Sequence, residues 1–427
     1  MRERLASDEI GTTNAKSQQY HVTIYVTEIA TFVGGHQGRQ QCQCLSRRAS
    51  IPDVKGSSKS VSIRNTAVPI ERIDVSAHRI PTDLPEADGA YAWDSTTLVV
   101  VEATAGGMRG LGYTYADMAT ATLIHDSLAD IVRGRNAFDV PGAWDAMVHS
   151  IRNLGRPGIA SMAISGVDVA LWDLKAKLLD LPLCKLLGQA REAVPVYGSG
   201  GFTSYSIAQL QQQLGGWVAQ GIPRVKMKIG THPADDLARV HAARAAIGAD
   251  TDLYVDANGA YTRKQALRQA EAFVDLGVVW FEEPVSSDDL DGLRLIRDRA
   301  PAGMNIAAGE YGYDLWYFRR MLEAGAVDVQ QADGSRCGGI TGFLRAGTLV
   351  EARSLSLSAH CAPSLHLHAC CAVPNLWPIE YFHDHVRIER MLFDGAVSPV
   401  DGLLHPDLTR PGIGLDFKRK DAEQFAV

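Results

Sequence analysis

From Val194 to Phe382 the chain repeats one unit: a short apolar strand, then helical patterning, then the next strand about 20 to 30 residues on. The strands read VPVYGSG, RVKMKIG, LYVDANG, VVWFEEP, NIAAGE, VDVQQAD, LSLSAH and PIEYF, and the segment DDLARVHAARAAI, ending at Ile247, typifies the helices between them. Eight strands with helical crossovers in under 200 residues fit a closed parallel barrel better than an open sheet. No Gly-x-Gly-x-x-Gly follows a strand, so a dinucleotide-binding fold has little support.

Ahead of the barrel, ordered structure is expected from near Val68. IERIDVSAHRIP and TTLVVVEATAGGMRGLGYTY read as antiparallel strands joined by turns rich in Gly, Pro and Asp. Ile159 to Leu187 places Ala, Val, Leu and Trp three and four apart, as in a helix packed on one face, and Pro182 breaks it near its end. Strands followed by helices make an α+β unit of residues 67–190. Residues 1–66 are dominated by Gln, Ser, Thr and basic residues, with one strand candidate from His21 to Val33. They read as a poorly ordered extension. Glu3, Asp8 and Glu9 disfavour a transit peptide.

Composition removes several classes of function. A formal charge of −7 argues against nucleic-acid and membrane-surface partners, which select basic faces. No apolar run approaches the ~20 residues that span a bilayer, and no charged-then-apolar leader opens the chain. Seven cysteines in 427 residues are no disulfide framework, and neither Cys42/Cys44 nor Cys370/Cys371 has the spacing of a zinc site. They read as structural residues of a cytoplasmic protein.

The chemistry lies at the strand ends. Lys228, Asp256, Glu282, Glu310, Asp333, His360 and Glu380 each close one of the repeated strands. In a parallel barrel those ends converge on one mouth, and buried charges there need partners or a metal. Asp256, Glu282 and Glu310 end three consecutive strands; their hard oxygen ligands suit Mg²⁺ better than zinc. Alternation along the strand is expected to send Glu282 and Glu283 to opposite faces. Lys226 and Lys228, two apart, both face the interior, and their adjacent charges are expected to depress a lysine pKa toward that of a general base. His360, with Asp333 ending the strand before it, makes a second proton-transfer group whose tautomer the carboxylate fixes.

The ordered set K-x-K, D-x-N, E-E-P, G-E, D…G-G-I-T-G, S-A-H and I-E resembles the mandelate racemase branch of the enolase superfamily, and SGVDVALWDLKAKLLDLPLCKLLG is similar to the helical signature of its capping domain. The likeness runs from about Val68 to the C-terminus. It implies a modified TIM barrel, (β/α)7β, over residues 191–384, with an α+β capping domain completed by residues 385–427. It also implies one Mg²⁺ held by Asp256, Glu282 and Glu310, Lys228 as base on one face of the substrate carbon, and His360, oriented by Asp333, on the other. Lys226 would help neutralise the substrate carboxylate, with Glu380 beside it as a hydrogen-bonding acid and Asn258 near the 2-hydroxyl. Arg336 receives no role. Relatives are often dimers or octamers, so a homo-oligomer is expected.

The reaction expected is proton abstraction next to a carboxylate, leading to dehydration of an aldonic or aldaric acid to a 2-keto-3-deoxy acid. The alternatives are racemisation or epimerisation of a 2-hydroxy acid, and a barrel that only binds carboxylates; a cycloisomerase is disfavoured because Asp333 stands where such relatives generally place a lysine. Two capping segments, about Pro81–Ser95 and Gly110–Thr120, are expected to close the mouth as loops, and their Tyr91, Trp93, Tyr113 and Tyr115 either contact substrate or pack the loops onto the barrel.

Overall fold

The computed structural model describes residues 67–427. The strand candidate at His21–Val33 and the pair Cys42/Cys44 lie outside the described residues.

Three antiparallel strands, β1 (Arg72–Ala87), β2 (Ala92–Ala105) and β3 (Met108–Tyr115), form a meander in that order. The run LVVV in β2 is apolar on both faces because both are covered. Leu98 and Val100 join the core shared with the barrel, whereas Val99 and Val101 pack into a separate core with the helix Ile159–Leu178. That helix lies hard against β3, since a Cβ on Gly110 or Gly112 would sit 2.2 Å from the carbonyl of Ala170 or Gly166. The helix ends at Leu178, and a short helix, Leu183–Leu187, follows Pro182.

Buried polar side chains on the long helix pin it to the rest of the molecule. Asp173 accepts from the backbone N–H groups of Leu111 and Ile413, both at 2.7 Å, and pairs with Lys177. Asp168 accepts from the N–H and hydroxyl of Thr341, and Ser165 Oγ from the N–H of Gly338. A buried carboxylate is tolerated where it takes several donors at once.

The barrel strands are β4 (Val194–Gly200), β5 (Arg224–Lys228), β6 (Asp252–Asp256), β7 (Val278–Glu282), β8 (Asn305–Ala308), β9 (Val329–Ala332), β10 (Ser356–Ala359) and β11 (Leu376–Phe382). Each pairs in parallel with the next, and β11 pairs with β4, which closes the ring. The fold is thus the expected modified TIM barrel with an α+β cap. Tyr197, Tyr254, Trp280, Ala307 and Val329 fill the barrel interior as one cluster. Two residues on from Tyr254 and Trp280, at the C-terminal ends of β6 and β7, come Asp256 and Glu282.

After β11 comes the helix His383–Leu392; Phe393–Asp394 (β12) then pairs with Asp416–Phe417 (β14). Between them Leu403–Leu404 (β13) pairs antiparallel with the start of β4, so the middle of the tail serves the barrel. Its end serves the cap: the Ala422 carbonyl lies 3.0 Å from His78 Nδ1, and the Val427 N–H donates to the Ala77 carbonyl.

The two segments expected to be mouth loops are mostly strand. Pro81–Ser95 is a hairpin with an irregularity between Pro81 and Glu86, and Gly110–Thr120 holds β3 and the start of the helix Met118–Leu123. Pairing with β2 satisfies backbone groups that a loop would leave to water. Among the described residues no helix is long and apolar enough to cross a membrane.

The glycine contacts give a test. Gly112→Ala forces a methyl into backbone that cannot yield, and overpacking of this kind costs about 1–3 kcal/mol. Gly142, on the exposed side of the helix Val140–Ser150, has nothing within 4 Å of its would-be Cβ. We expect a lower urea midpoint for Gly112→Ala and an unchanged or higher one for Gly142→Ala.

Candidate active site

Asp256 and Glu282 are the last residues of β6 and β7, and Glu310 follows β8 after Gly309. Gly309 has φ +137°, and a Cβ there would meet the Gln331 carbonyl at 2.2 Å, so a glycine is needed to swing Glu310 inward. The three carboxylates are buried, with one oxygen of each within 4.8 Å of the others. Glu282 accepts from Lys226 with one oxygen and from Trp280 Nε1, at 2.9 Å, with the other. Asp256 accepts from Lys228 at 2.5 Å and from the Asn258 N–H at 2.9 Å.

Glu283 joins this group, contrary to the alternation expected from the strand. β7 stops at Glu282, Glu283 takes φ +36°, and its side chain is buried with Glu310 and Asp256 as its strongest charged neighbours. Period-2 alternation lapses where the strand does. Burial pushes the Glu283 carboxyl well up, with Glu310 next in effect; burial, then Asp256, pushes Glu282 to about 8. Acids driven toward protonation by one another are a site short of positive charge. Glu283 Oε1 and Asn258 Oδ1 are buried without a hydrogen-bond partner. An all-oxygen donor set with surplus negative charge fits Mg²⁺.

The lysines differ from expectation. Burial lowers their pKa values, but the surrounding carboxylates outweigh it and hold both well above the ordinary range. Lys226 contacts Glu282 and lies 2.7 Å from Glu380 and 3.4 Å from Asp256, so each ammonium sees more carboxylates than ammoniums. Like-charge repulsion between the two is the smaller effect.

Across the cavity His360 Nδ1 lies 2.8 Å from Asp333 Oδ2. Asp333 also accepts from the Ser335 N–H, and despite burial the bond to His360 holds its carboxyl below the usual range. An ionised Asp333 fixes the proton on Nδ1 and leaves Nε2 facing Glu310, 3.2 Å away. Glu380 sits beneath, fully buried, bonded to Lys226 and to the Ser199 hydroxyl at 2.6 Å. Burial opposes its charge, but Lys226 and His360 prevail and keep it ionised. So placed, Glu380 lies 2.7 Å from Lys226 and accepts from Ser199.

A cavity of about 420 Å³ opens above these groups, lined by Lys228, Asn258, Glu310 and His360 from the barrel and by Asp88, Tyr91 and Trp93 from the β1–β2 hairpin. Of the cap aromatics, Tyr115 also lines it, stacked on His385, while Tyr113 is fully buried, packs on Phe393 and donates to Glu389 at 2.6 Å. Arg336 lines the cavity too, 3.5 Å from Glu310 and 3.6 Å from Asp333. Cys361 and His385 also face it without a sequence signal that marks them: each sits past the end of a strand and is aimed by local backbone, with φ +49° at Cys361.

The family profile described as "Mandelate racemase / muconate lactonizing enzyme, N-terminal domain" matches residues 73–188, and "Enolase C-terminal domain-like" matches residues 209–422. The chain belongs to the mandelate racemase/muconate lactonizing enzyme family. A mandelate racemase/muconate lactonizing enzyme-like protein from Rubrobacter xylanophilus has a crystal structure that aligns with TM-score 0.83 and 54% identity, covering 84% of this chain and 100% of that one. The 3,6-anhydro-alpha-L-galactonate cycloisomerase of Streptomyces coelicolor is 34% identical over 362 residues, 82% of this chain and 98% of its own. The L-talarate/galactarate dehydratase of Salmonella typhimurium is 32% identical over 301 residues, 69% of this chain and 74% of its own. Its crystal structure liganded with Mg and L-lyxarohydroxamate aligns with TM-score 0.78 and 27% identity, covering 88% of this chain and 98% of that one. A racemase from Streptomyces coelicolor A3(2), 33% identical with TM-score 0.79, likewise has a crystal structure with bound magnesium.

Glu389, which holds Tyr113 and the Ser364 N–H behind the cavity wall, carries a pH test. Burial pushes its carboxyl to about 7 from an unfolded value near 4.5. Below pH 4.5 both states are protonated and nothing is lost; as pH rises toward 7 the unfolded chain ionises first, so stability falls. We expect denaturation at pH 4.5 and 7.5 to show a loss of stability that is smaller in Glu389→Gln than in the wild type, by on the order of 3 kcal/mol.

Proposed function

We propose that this family member dehydrates an acid sugar, removing the proton at C2 of an aldonic or aldaric acid and expelling the 3-hydroxyl to leave a 2-keto-3-deoxy acid. The observation that carries the reading is that Lys228 and His360 line one cavity with the carboxylates between them. Asp256, Glu282 and Glu310 would hold the ion. When bound, it supplies positive charge for the enediolate that a weakly acidic C–H must become.

Lys228, at the cavity floor, takes or returns the C2 proton on one face of the substrate. It is held protonated by Asp256, so engagement of that carboxylate by a cation frees it to act as a base. His360 works on the other face: Cys361 and Glu310 outweigh burial and favour its imidazolium, whose Nε2 gives a proton to the departing hydroxyl, which leaves as water. Asp333 holds the ring through that exchange and balances the imidazolium. Lys226, fixed by Glu380 and Glu282, adds positive charge beside the substrate carboxylate. Asn258, whose Oδ1 is unpartnered at the cavity wall, accepts from the 2-hydroxyl. The hairpin residues Tyr91 and Trp93 exclude water and select chain length.

Elimination of a 3-oxygen that stays tethered to the substrate needs the same first proton transfer. The cycloisomerase relative, matched over 98% of its length, favours that as the second reading.

A panel of aldonic and aldaric acids, incubated with the protein and Mg²⁺, tests dehydration: keto acid is expected, and epimers with no keto acid would reject it. Lys228→Met and His360→Asn should each lower kcat by about 10²–10⁴-fold with the fold intact by circular dichroism. Glu310→Gln should abolish activation by Mg²⁺.

A further inference from the structure

A second cluster of metal-ligand side chains lies outside the barrel mouth. Asp83, Glu86 and His383 each offer one ligand atom within 4.8 Å of the others. They come from different elements: Asp83 and Glu86 from the irregular stretch of β1 where the ladder with β2 breaks between Pro81 and Glu86, and His383 from the residue after β11. We propose that these three side chains bind a first-row divalent cation such as Zn²⁺, which clasps the cap hairpin to the rim of the barrel.

Glu86 points to a ligand independently of the clustering. It is 1% exposed, its Oε2 accepts from Trp93 Nε1 at 2.9 Å, and its Oε1 is buried with no hydrogen-bond partner. A buried carboxylate oxygen left without a donor is costly. The local charge leaves it uncompensated: Asp83 and Asp384 are close, and the cation nearby, Arg387, is taken by Asp384 and the Pro81 carbonyl. Burial, then Asp384, pushes the Glu86 carboxyl to about 9.

The donor set fixes the class of ion. His383 Nε2 lies 3.0 Å and 3.2 Å from the two oxygens of Asp83, so the imidazole and carboxylate already face one another. One imidazole nitrogen with two carboxylates suits Zn²⁺ or a similar transition ion over Mg²⁺, which takes oxygen ligands. Asp83 and His383 are partly exposed and line the same surface grooves, which gives an ion a path and leaves positions for water.

The clasp bears on the active site through Trp93. Glu86 and Trp93 are register partners in the hairpin, and Trp93 lines the catalytic cavity and packs edge-on against Phe202. An ion on Glu86 would therefore fix the ring that borders the substrate space.

The full chain, with Mg²⁺ in large excess, is equilibrated with Zn²⁺ and the zinc retained per chain is measured, alongside tryptophan fluorescence. One equivalent is expected in the wild type and in Glu310→Gln, with at least a tenfold weaker affinity in His383→Ala and in the isosteric Asp83→Asn. Tryptophan emission should shift with zinc in the first pair and not in the second, and Trp93→Phe should remove the shift without removing the zinc. No retention by the wild type, full retention in His383→Ala and Asp83→Asn, or loss in Glu310→Gln would each overturn the proposal. None of these outcomes depends on which acid the barrel turns over.

Discussion

The rest of the molecule is arranged around an excess of buried negative charge at the open end of the barrel. Asp256, Glu282, Glu283, Glu310, Asp333 and Glu380 are all at most 4% exposed, and the fixed cations among them are Lys226, Lys228 and Arg336. Each acid alone would cost several kcal/mol of desolvation, on the order found for buried ions in real proteins. Pairing relieves Asp333 and Glu380, which are held ionised by His360 and Lys226. It does not relieve Glu282 and Glu283, whose carboxyls are pushed up by burial and then by Asp256 for the first and Glu310 for the second. A fold that keeps such a group is built for a cation that arrives later.

Holding that charge in place takes a rigid base. The stacked rings of Tyr254 and Trp280, 4.9 Å apart, lie one step below Asp256 and Glu282 on the same strands. Trp280 also donates to Glu282, so the apolar layer that closes the barrel also orients a polar group above it. The cap is tied in with similar economy. Asp168 and Asp173 on one helix reach Thr341, Leu111 and Ile413, which joins the barrel, the cap sheet and the returning tail at one element. A hairpin that lines the cavity can then be positioned by contacts far from the chemistry.

Much of this was legible in the sequence because it rests on period. Strands β4 to β11 recur at near-regular spacing, and the residue at or just past the end of each falls at the mouth by construction, so Lys228, Glu310 and His360 line one cavity and Asp256 and Glu282 gather with Glu310 without knowledge of any contact. What period misses is everything set by backbone after a strand has ended. Glu283 turns back at φ +36°, and Cys361 at φ +49° brings a thiol within 3.2 Å of His360. Arg336 and His385 enter from turns and a helix. The raised lysine pKa values escape the sequence for a related reason. Sequence spacing reveals the neighbour two residues away, but the acids that decide the balance come from other strands.

The same reasoning explains why aromatic residues in the cap resisted assignment. Tyr113 and Tyr115 are two apart on β3 and so share a face, yet one is sealed against Phe393 and the other stands in the cavity wall over His385. What separates them is position along the strand relative to the barrel rim, which no pattern in β3 encodes. Tyr91 and Trp93, at the hairpin tip, stack on each other at 6.2 Å, and Trp93 is anchored through Glu86. Substrate choice in such an architecture depends on a hairpin whose own anchor is a carboxylate with one free oxygen. The barrel mouth and the hairpin thus share one electrostatic condition, a buried acid that its neighbours do not neutralise, and in both places the geometry leaves the balance to a bound cation.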